Sequence, residues 1–189
     1  MYWHKTPPQK EYNQKKRLGY VHVYTGEGKG KTSAALGTAL RAAGHKLDVL
    51  IVQFIKGHKD YGELLAMDKL KPYIEIVQFG TPDITNLEDP SAMDSYLTNQ
   101  GLEFARSQMV KDRPDLLILD EINPAAAYGL LKVNDVLDFI DNAHQQTEII
   151  LTGRDAPKEF LNAADLVTVM TQTKSPYCDE FEPRCGIEH

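Results

Sequence analysis

Cysteine is nearly absent: the 189 residues hold two, Cys178 and Cys185, both near the carboxyl end. So few exclude a disulfide framework, and with only the terminal His189 in reach along the tail they fall short of a zinc site, so free thiols are expected. No histidine is placed to activate either one as a nucleophile. Positive charge is also in deficit, with 21 Lys and Arg against 27 Asp and Glu and a net charge of −6. That balance argues against general affinity for nucleic acid or anionic membranes, while leaving room for a local basic pocket. No stretch approaches the ~18 apolar residues a membrane span needs, and no apolar signal segment opens the chain, so a cytoplasmic location is expected. What is present is an ordinary globular mixture, 42% hydrophobic and 25% charged, in a length that suits one domain with a substantial core.

Residues 1–18 are polar and charged, and read as an N-terminal arm preceding a folded domain over 19–189; Tyr2, Trp3 and Tyr12 are its aromatic residues. Residues 19–24 are β-branched and aromatic, as suits a first strand, with His22 packed and hydrogen-bonded inside the sheet. The run Tyr24-Thr25-Gly26-Glu27-Gly28-Lys29-Gly30-Lys31-Thr32-Ser33 then leads into a helix of small residues over 30–43, ended by Gly44 as a C-cap. Glycines let a backbone curl with its N–H groups inward, and the helix adds unpaired donors and the positive end of its dipole, so polyphosphate is the natural guest. Lys31 would supply charge to phosphate oxygens, and the Thr32 or Ser33 hydroxyl would ligate a magnesium ion. The spacing departs from G-x-x-x-x-G-K-[ST], because Thr25 stands where the first glycine belongs; counted from Gly26 the loop is one residue short.

Residues 47–54 are almost continuously apolar, the mark of a strand covered on both faces in a parallel sheet. Gln53, Lys56 and Gly57 therefore lie beyond a strand's carboxyl end, where ligands bind in open α/β sheets; Lys56 reads equally as a solvated loop lysine. A short helix over 62–67 and a third strand over 73–79 follow. Residues 80–90 have turn chemistry throughout and are a candidate lid, or else a surface connection. A long helix over 91–110 is capped by Ser91 with Asp94 three residues on, and Gly101 weakens its continuity.

Leu116-Leu117-Ile118-Leu119 runs into Asp120-Glu121. A strand ending in two acids beside a phosphate loop puts a carboxylate where it can hold magnesium directly or through water, and Glu121 could also act as a base toward water. Asn123-Pro124 turns the chain. A helix over 134–143, a strand over 147–151, a helix over 157–163 and a last strand over 166–170 complete the alternation, which implies a parallel sheet of five to six strands with helices on both faces. Arg154, just past the strand over 147–151, suits a phosphate contact or simple exposure. Arg41, near the end of the first helix, either complements the dipole or reaches a nucleotide.

The order of these motifs resembles the ATP:corrinoid adenosyltransferases of the P-loop fold. The likeness runs from about residue 19 to the end, through the loop at 24–35, Arg41, Val52-Gln53-Phe54-Ile55-Lys56-Gly57, Leu119-Asp120-Glu121-Ile122-Asn123, Thr152-Gly153-Arg154, Ala164-Asp165-Leu166-Val167 and Gly186-Ile187-Glu188. The resemblance implies a homodimer that moves the 5′-deoxyadenosyl group of ATP to the cobalt of a reduced corrinoid and releases triphosphate, with a reductase supplying the reduced cobalt. It implies ATP threaded through the loop in the reverse sense, contacts from Thr25, Gly26, Glu27, Gly28, Lys29, Gly30, Lys31, Thr32, Ser33, Arg41, Gln53 and Arg154, metal held by Thr32, Glu121 and Asp120, and catalysis by Lys31 and Glu121. Two stretches depart from the family pattern: nothing between Phe79 and Tyr96 is aromatic, and acids occupy the tail at Asp179 and Glu180. The rival readings are a P-loop ATPase or small-molecule kinase that transfers the γ-phosphate, and a nucleotide-dependent corrinoid-binding protein without turnover.

Overall fold

The computed structural model describes residues 19–82, 86–143, 145–174 and 184–187; the expected arm at 1–18 and Cys178 lie outside them. The short β-branched runs and intervening helical segments form β1 (Val21–Thr25), α1 (Lys31–Gly44), β2 (Val49–Phe54), α2 (Gly62–Met67), β3 (Ile74–Phe79), α3 (Ala92–Lys111), β4 (Leu116–Asp120), α4 (Ile122–Ala127), α5 (Val133–Asp141), β5 (Glu148–Thr152), α6 (Lys158–Ala163) and β6 (Leu166–Val169). The six strands pair in parallel in the order β3-β2-β4-β5-β1-β6, as the alternation of elements predicts.

Hydrophobic burial sets the layers. On one face the small side chains of α1, Ala35, Ala39, Ala42 and Ala43, let the helix lie close against Val49, Ile51, Leu116, Ile118 and Ile150. On the other, Leu102, Ala105, Ile122, Ala125, Val136, Phe139 and Phe160 of α3–α6 cover Val23, Leu50, Val52, Leu117 and Leu119. Each fully buried aliphatic side chain contributes roughly 1.5–3 kcal/mol. Strands β2 and β4, buried at every position, are the near-continuous apolar runs of the sequence. At the edge, β6 is exposed along its length.

Helix α3 is unbroken through Gly101, contrary to the expected weakness there. A Cβ at Gly101 would stand 2.8 Å from the Phe54 ring and 3.0 Å from Phe79, so the glycine serves close packing on β2 and β3. The Ser91–Asp94 capping box forms as expected. At the end of α1, Gly44 is still helical and Lys46 takes the left-handed conformation (φ 60°), so the glycine is not the C-cap residue that was expected. Asn123-Pro124 does not simply turn the chain: both lie in the first turn of α4, where proline's missing N–H costs nothing.

At the amino ends of the strands, Glu148 accepts from the backbone N–H groups of Gly19 and Tyr20 (2.9 and 3.0 Å) and lies 2.7 Å from His22 Nε2. His22 is thus hydrogen-bonded inside the sheet as expected, although its Nδ1 is buried with no partner. At the carboxyl ends, Gly57 and Gly80 pack backbone to backbone; a Cβ on either would stand 2.4 Å from the other segment. Thr81 Oγ1 donates to Asp94 (3.2 Å). The base of the segment after β3 is therefore fastened both to the end of β2 and to the start of α3.

Candidate active site

The loop between β1 and α1 closes on itself. Gly26 and Gly30 adopt φ of 96° and 108°, which side chains rarely tolerate, and the Gly28 N–H donates to the Met170 carbonyl just past β6 (2.7 Å). A Cβ at Gly26 or Gly28 would meet the Met170 backbone at 2.4 or 2.8 Å, so the glycines are also required by this neighbour. Lys31 folds back over the loop and donates from Nζ to the carbonyls of Gly26 (2.7 Å) and Gly28 (2.8 Å). Its burial lowers its pKa, against the pull of nearby Glu121 and Glu27.

Asp120, 1% exposed, is the hub. Its Oδ1 accepts from Thr32 Oγ1 (2.8 Å) and Thr152 Oγ1 (2.6 Å), and its Oδ2 accepts from Gln53 Nε2 (3.0 Å) and Lys56 Nζ (2.8 Å). Burial alone would raise its pKa, but the Lys56 charge and these donors outweigh burial and hold the carboxyl below the ordinary range. Lys56 responds the other way: burial pulls it down, and Asp120, Glu121 and Glu63 more than offset that, so the ammonium is held above its usual value. Gln78 Nε2 donates to Gln53 Oε1 (3.0 Å), extending the polar row from β4 across β2 to β3.

Glu121 follows Asp120 with φ 64°, a left-handed conformation that turns the chain out of the strand; its N–H donates to Thr152 Oγ1 (3.0 Å). Burial, then the adjacent Asp120 charge, raise its pKa. Ile55 makes the corresponding turn after β2, at φ 62°, unusual for a β-branched residue, and Lys56 follows it. Thr32, Ser33, Lys56 and Glu121 all line one cavity of about 500 Å³, whose remaining wall includes apolar Leu36, Ala66, Met67 and Ile187.

The structure thus gathers Lys31, Thr32, Ser33, Gln53, Asp120 and Glu121. Gln53, expected at a nucleotide, is wholly buried and spends its amide on Asp120, Glu63 and Gln78. Glu27 and Lys29 are exposed, and Arg154, 56% exposed, reaches Glu27 Oε2 at 3.7 Å, a distance that ties the loop only weakly to the turn after β5. Arg41 stands apart from Lys31: it lies on the last turn of α1, ten residues on, or ~15 Å along the axis at 1.5 Å per residue. Sequence reasoning missed Thr152, Glu63 and Gln78, and set Lys56 aside as undecided. Thr152, Gln78 and Lys56 share a signal, a polar residue at or just past a strand end, which becomes informative once the strand order is known; Glu63 comes instead from the first turn of α2.

Among the described residues no cluster of three or more His, Cys, Asp or Glu side chains forms a metal cage. The donors still fit magnesium bound together with phosphate: Thr32 gives its hydroxyl proton to Asp120 and keeps lone pairs for a cation, and among the described residues no hydrogen bond occupies the Glu121 carboxylate.

Over residues 17–189 the sequence matches the family described as ATP:corrinoid adenosyltransferase BtuR/CobO/CobP. It is 31% identical to the corrinoid adenosyltransferase of Escherichia coli K12, across 90% of this chain and 86% of that one. The corrinoid adenosyltransferase of a Sinorhizobium species is 32% identical, across 90% and 80%. An uncharacterized Nostoc protein, all2391, is 34% identical across 86% of this chain, which spans 46% of that longer relative. In fold the chain is similar to the KaiC-like protein PH0186 of Pyrococcus horikoshii (TM-score 0.57, 17% identity, 84% of this chain and 76% of that one). It is also similar to the flagellar accessory protein FlaH of Methanocaldococcus jannaschii (TM-score 0.55, 14% identity, 80% and 71%). The fold is that of a P-loop NTPase-like α/β domain.

Proposed function

This chain belongs to the ATP:corrinoid adenosyltransferase family BtuR/CobO/CobP, and we propose that it carries out that transfer with the residues gathered around Lys31 and Asp120. The protein is a corrinoid adenosyltransferase: it moves the 5′-deoxyadenosyl group of ATP to the cobalt of a reduced corrinoid and releases triphosphate. The observation that carries the residue assignment is the cavity beside Thr32, Ser33 and Glu121, one side of which is the apolar patch of Leu36, Ala66, Met67 and Ile187. A nucleoside needs such a wall, and here it adjoins the helix side of the phosphate loop. ATP bound with its phosphates in the loop and its nucleoside in this cavity presents C5′ at the cavity, which agrees with the reversed threading implied by the resemblance.

The lone pair of reduced cobalt attacks C5′; the bond from C5′ to the α-phosphate oxygen breaks with its electron pair passing to that oxygen. Cobalt rises from the +1 to the +3 state, and no proton has to move. The protein's tasks are alignment, stabilisation of the departing charge and exclusion of water. Lys31 leaves the Gly26 and Gly28 carbonyls for phosphate, and the N-terminal N–H groups of α1 add further donors. Thr32 and Glu121 would hold a magnesium ion, which supplies positive charge to the phosphates, while Asp120 orients the Thr32 hydroxyl from behind. In this reading Gln53 supports Asp120 and does not touch ATP. Arg154 and Lys29 guard the loop's exposed rim, and Arg41 serves a partner or the far end of the nucleoside. A homodimer with an N-terminal arm at 1–18, a cytoplasmic setting and a separate reductase complete the proposal. No helix among the described residues is long and apolar enough to cross a membrane.

The assignment is tested by mixing protein, Mg-ATP and a chemically reduced corrinoid without oxygen and following the visible spectrum. The wild type is expected to form a light-labile alkyl-cobalt product, and Lys31→Ala to lose turnover. A Lys31→Ala variant with near-normal rate removes the loop from the mechanism.

A further inference from the structure

We propose that Lys56 is a second phosphate-binding cation, and that its ammonium takes up the charge that develops on the α-phosphate oxygen as it leaves C5′. The inference rests on the adenosyl-transfer reading above and assigns a residue to the departure of the triphosphate.

Lys31 lies over the loop, with its Nζ between two loop carbonyls. Lys56 comes from the far side of Asp120 and lines the cavity with Thr32 and Glu121. With the nucleoside in that cavity, the phosphate passing from cavity to loop is the α-phosphate, and Lys56 is the cation on that path. The leaving oxygen belongs to that phosphate.

The side chain is built for the task. It follows Ile55, held at φ 62°, whose N–H donates to the Phe79 carbonyl (3.0 Å), and it precedes Gly57, locked against Gly80. Such a turn is uncommon for isoleucine, and these backbone contacts hold it, fixing where the Lys56 side chain leaves the chain. The side chain, ion-paired with Asp120, is 20% exposed and lines the cavity. That pair accounts for one hydrogen bond, and an ammonium has three N–H groups. Asp120 is meanwhile saturated by Thr32, Thr152 and Gln53 in addition to Lys56, so it retains donors if Lys56 turns toward phosphate.

The experiment compares wild type, Lys56→Met, Lys56→Arg and the double variant Lys56→Met/Asp120→Asn, reading kcat and KM for ATP in the anaerobic assay, Kd for inorganic tripolyphosphate with magnesium, and thermal melting. Lys56→Met is expected to lower kcat about 100-fold or more, the effect of removing one donor to a developing oxyanion, with KM for ATP within a few-fold of wild type. It should bind tripolyphosphate about 10-fold or more weakly, because the free triphosphate carries the charge that ATP has not yet developed. Lys56→Arg is expected to recover most of the tripolyphosphate affinity. The double variant, which removes both buried charges, should regain melting temperature and stay slow. Wild-type kcat in Lys56→Met, or full activity in the double variant, overturns the proposal by reducing Lys56 to a counter-ion for Asp120. A wild type that forms no alkyl-cobalt bond and converts ATP to ADP overturns the functional reading itself, and this proposal with it.

Discussion

Two neighbouring acids have opposite environments. Asp120 is buried among four donors and stays ionised, whereas Glu121 is half-buried, with no hydrogen bond to its carboxylate among the described residues and with the Asp120 charge beside it. The sequence reading gave both to the metal; the hydrogen bonds set Asp120 behind Thr32, whereas Glu121 lines the cavity. Asp120→Asn removes a buried partner of Lys56 and is expected to destabilise the protein by about 3–5 kcal/mol in chemical denaturation. Glu121→Gln is expected to do the reverse. An acid whose folded pKa is raised lowers stability as pH rises from its unfolded to its folded value, and the loss persists above that. The variant should therefore melt higher than wild type at neutral pH, match it at low pH, and bind Mg-ATP more weakly. That Lys31, Thr32 and Glu121 would come together at one end of the sheet was legible from the glycine-rich loop and from an apolar strand ending in acids. Thr152 and Gln78 were not, because nothing in a linear sequence says which strand lies beside β4.

The elements that carry these residues depend on close backbone approaches. The glycines of the loop were readable as phosphate-binding signals, yet Gly26 and Gly28 are equally fixed by the segment after β6, a contact between residues far apart in the chain. Gly28→Ala is expected to displace the loop from Met170 and weaken ATP binding, measured by titration calorimetry, with little change in helical circular dichroism. Gly101 was misread as a weakness in α3 because helix propensity was weighed without its neighbours. Alanine there should cost about 1–3 kcal/mol through overpacking against Phe54 and Phe79, although alanine is the better helix former. The capping box at Ser91, by contrast, is a local pattern and was read correctly.

For the molecule as a whole, the alternation of strands and helices was enough to give a parallel sheet covered on both faces, because hydrophobic runs and crossover rules are local. Strand order was not accessible, since β1 lies between β5 and β6, more than a hundred residues away. That long-range closure is fastened at the amino ends by Glu148. Burial would raise its pKa, but hydrogen bonds from His22, Tyr20 and Gly19 hold it below the usual range. An acid with a depressed folded pKa contributes stability that is complete above its unfolded value and lost as pH falls through the folded one. Glu148→Gln should therefore cost about 1–3 kcal/mol at neutral pH, with the difference from wild type vanishing in acid. At the opposite ends of the same strands lies the site on which the account stands or falls, and the fate of the phosphates tests it most directly. Phosphorus NMR of the anaerobic reaction with Mg-ATP and reduced corrinoid should show one equivalent of intact triphosphate for each alkyl-cobalt bond formed; ADP with phosphate or a phosphorylated product in its place would contradict it.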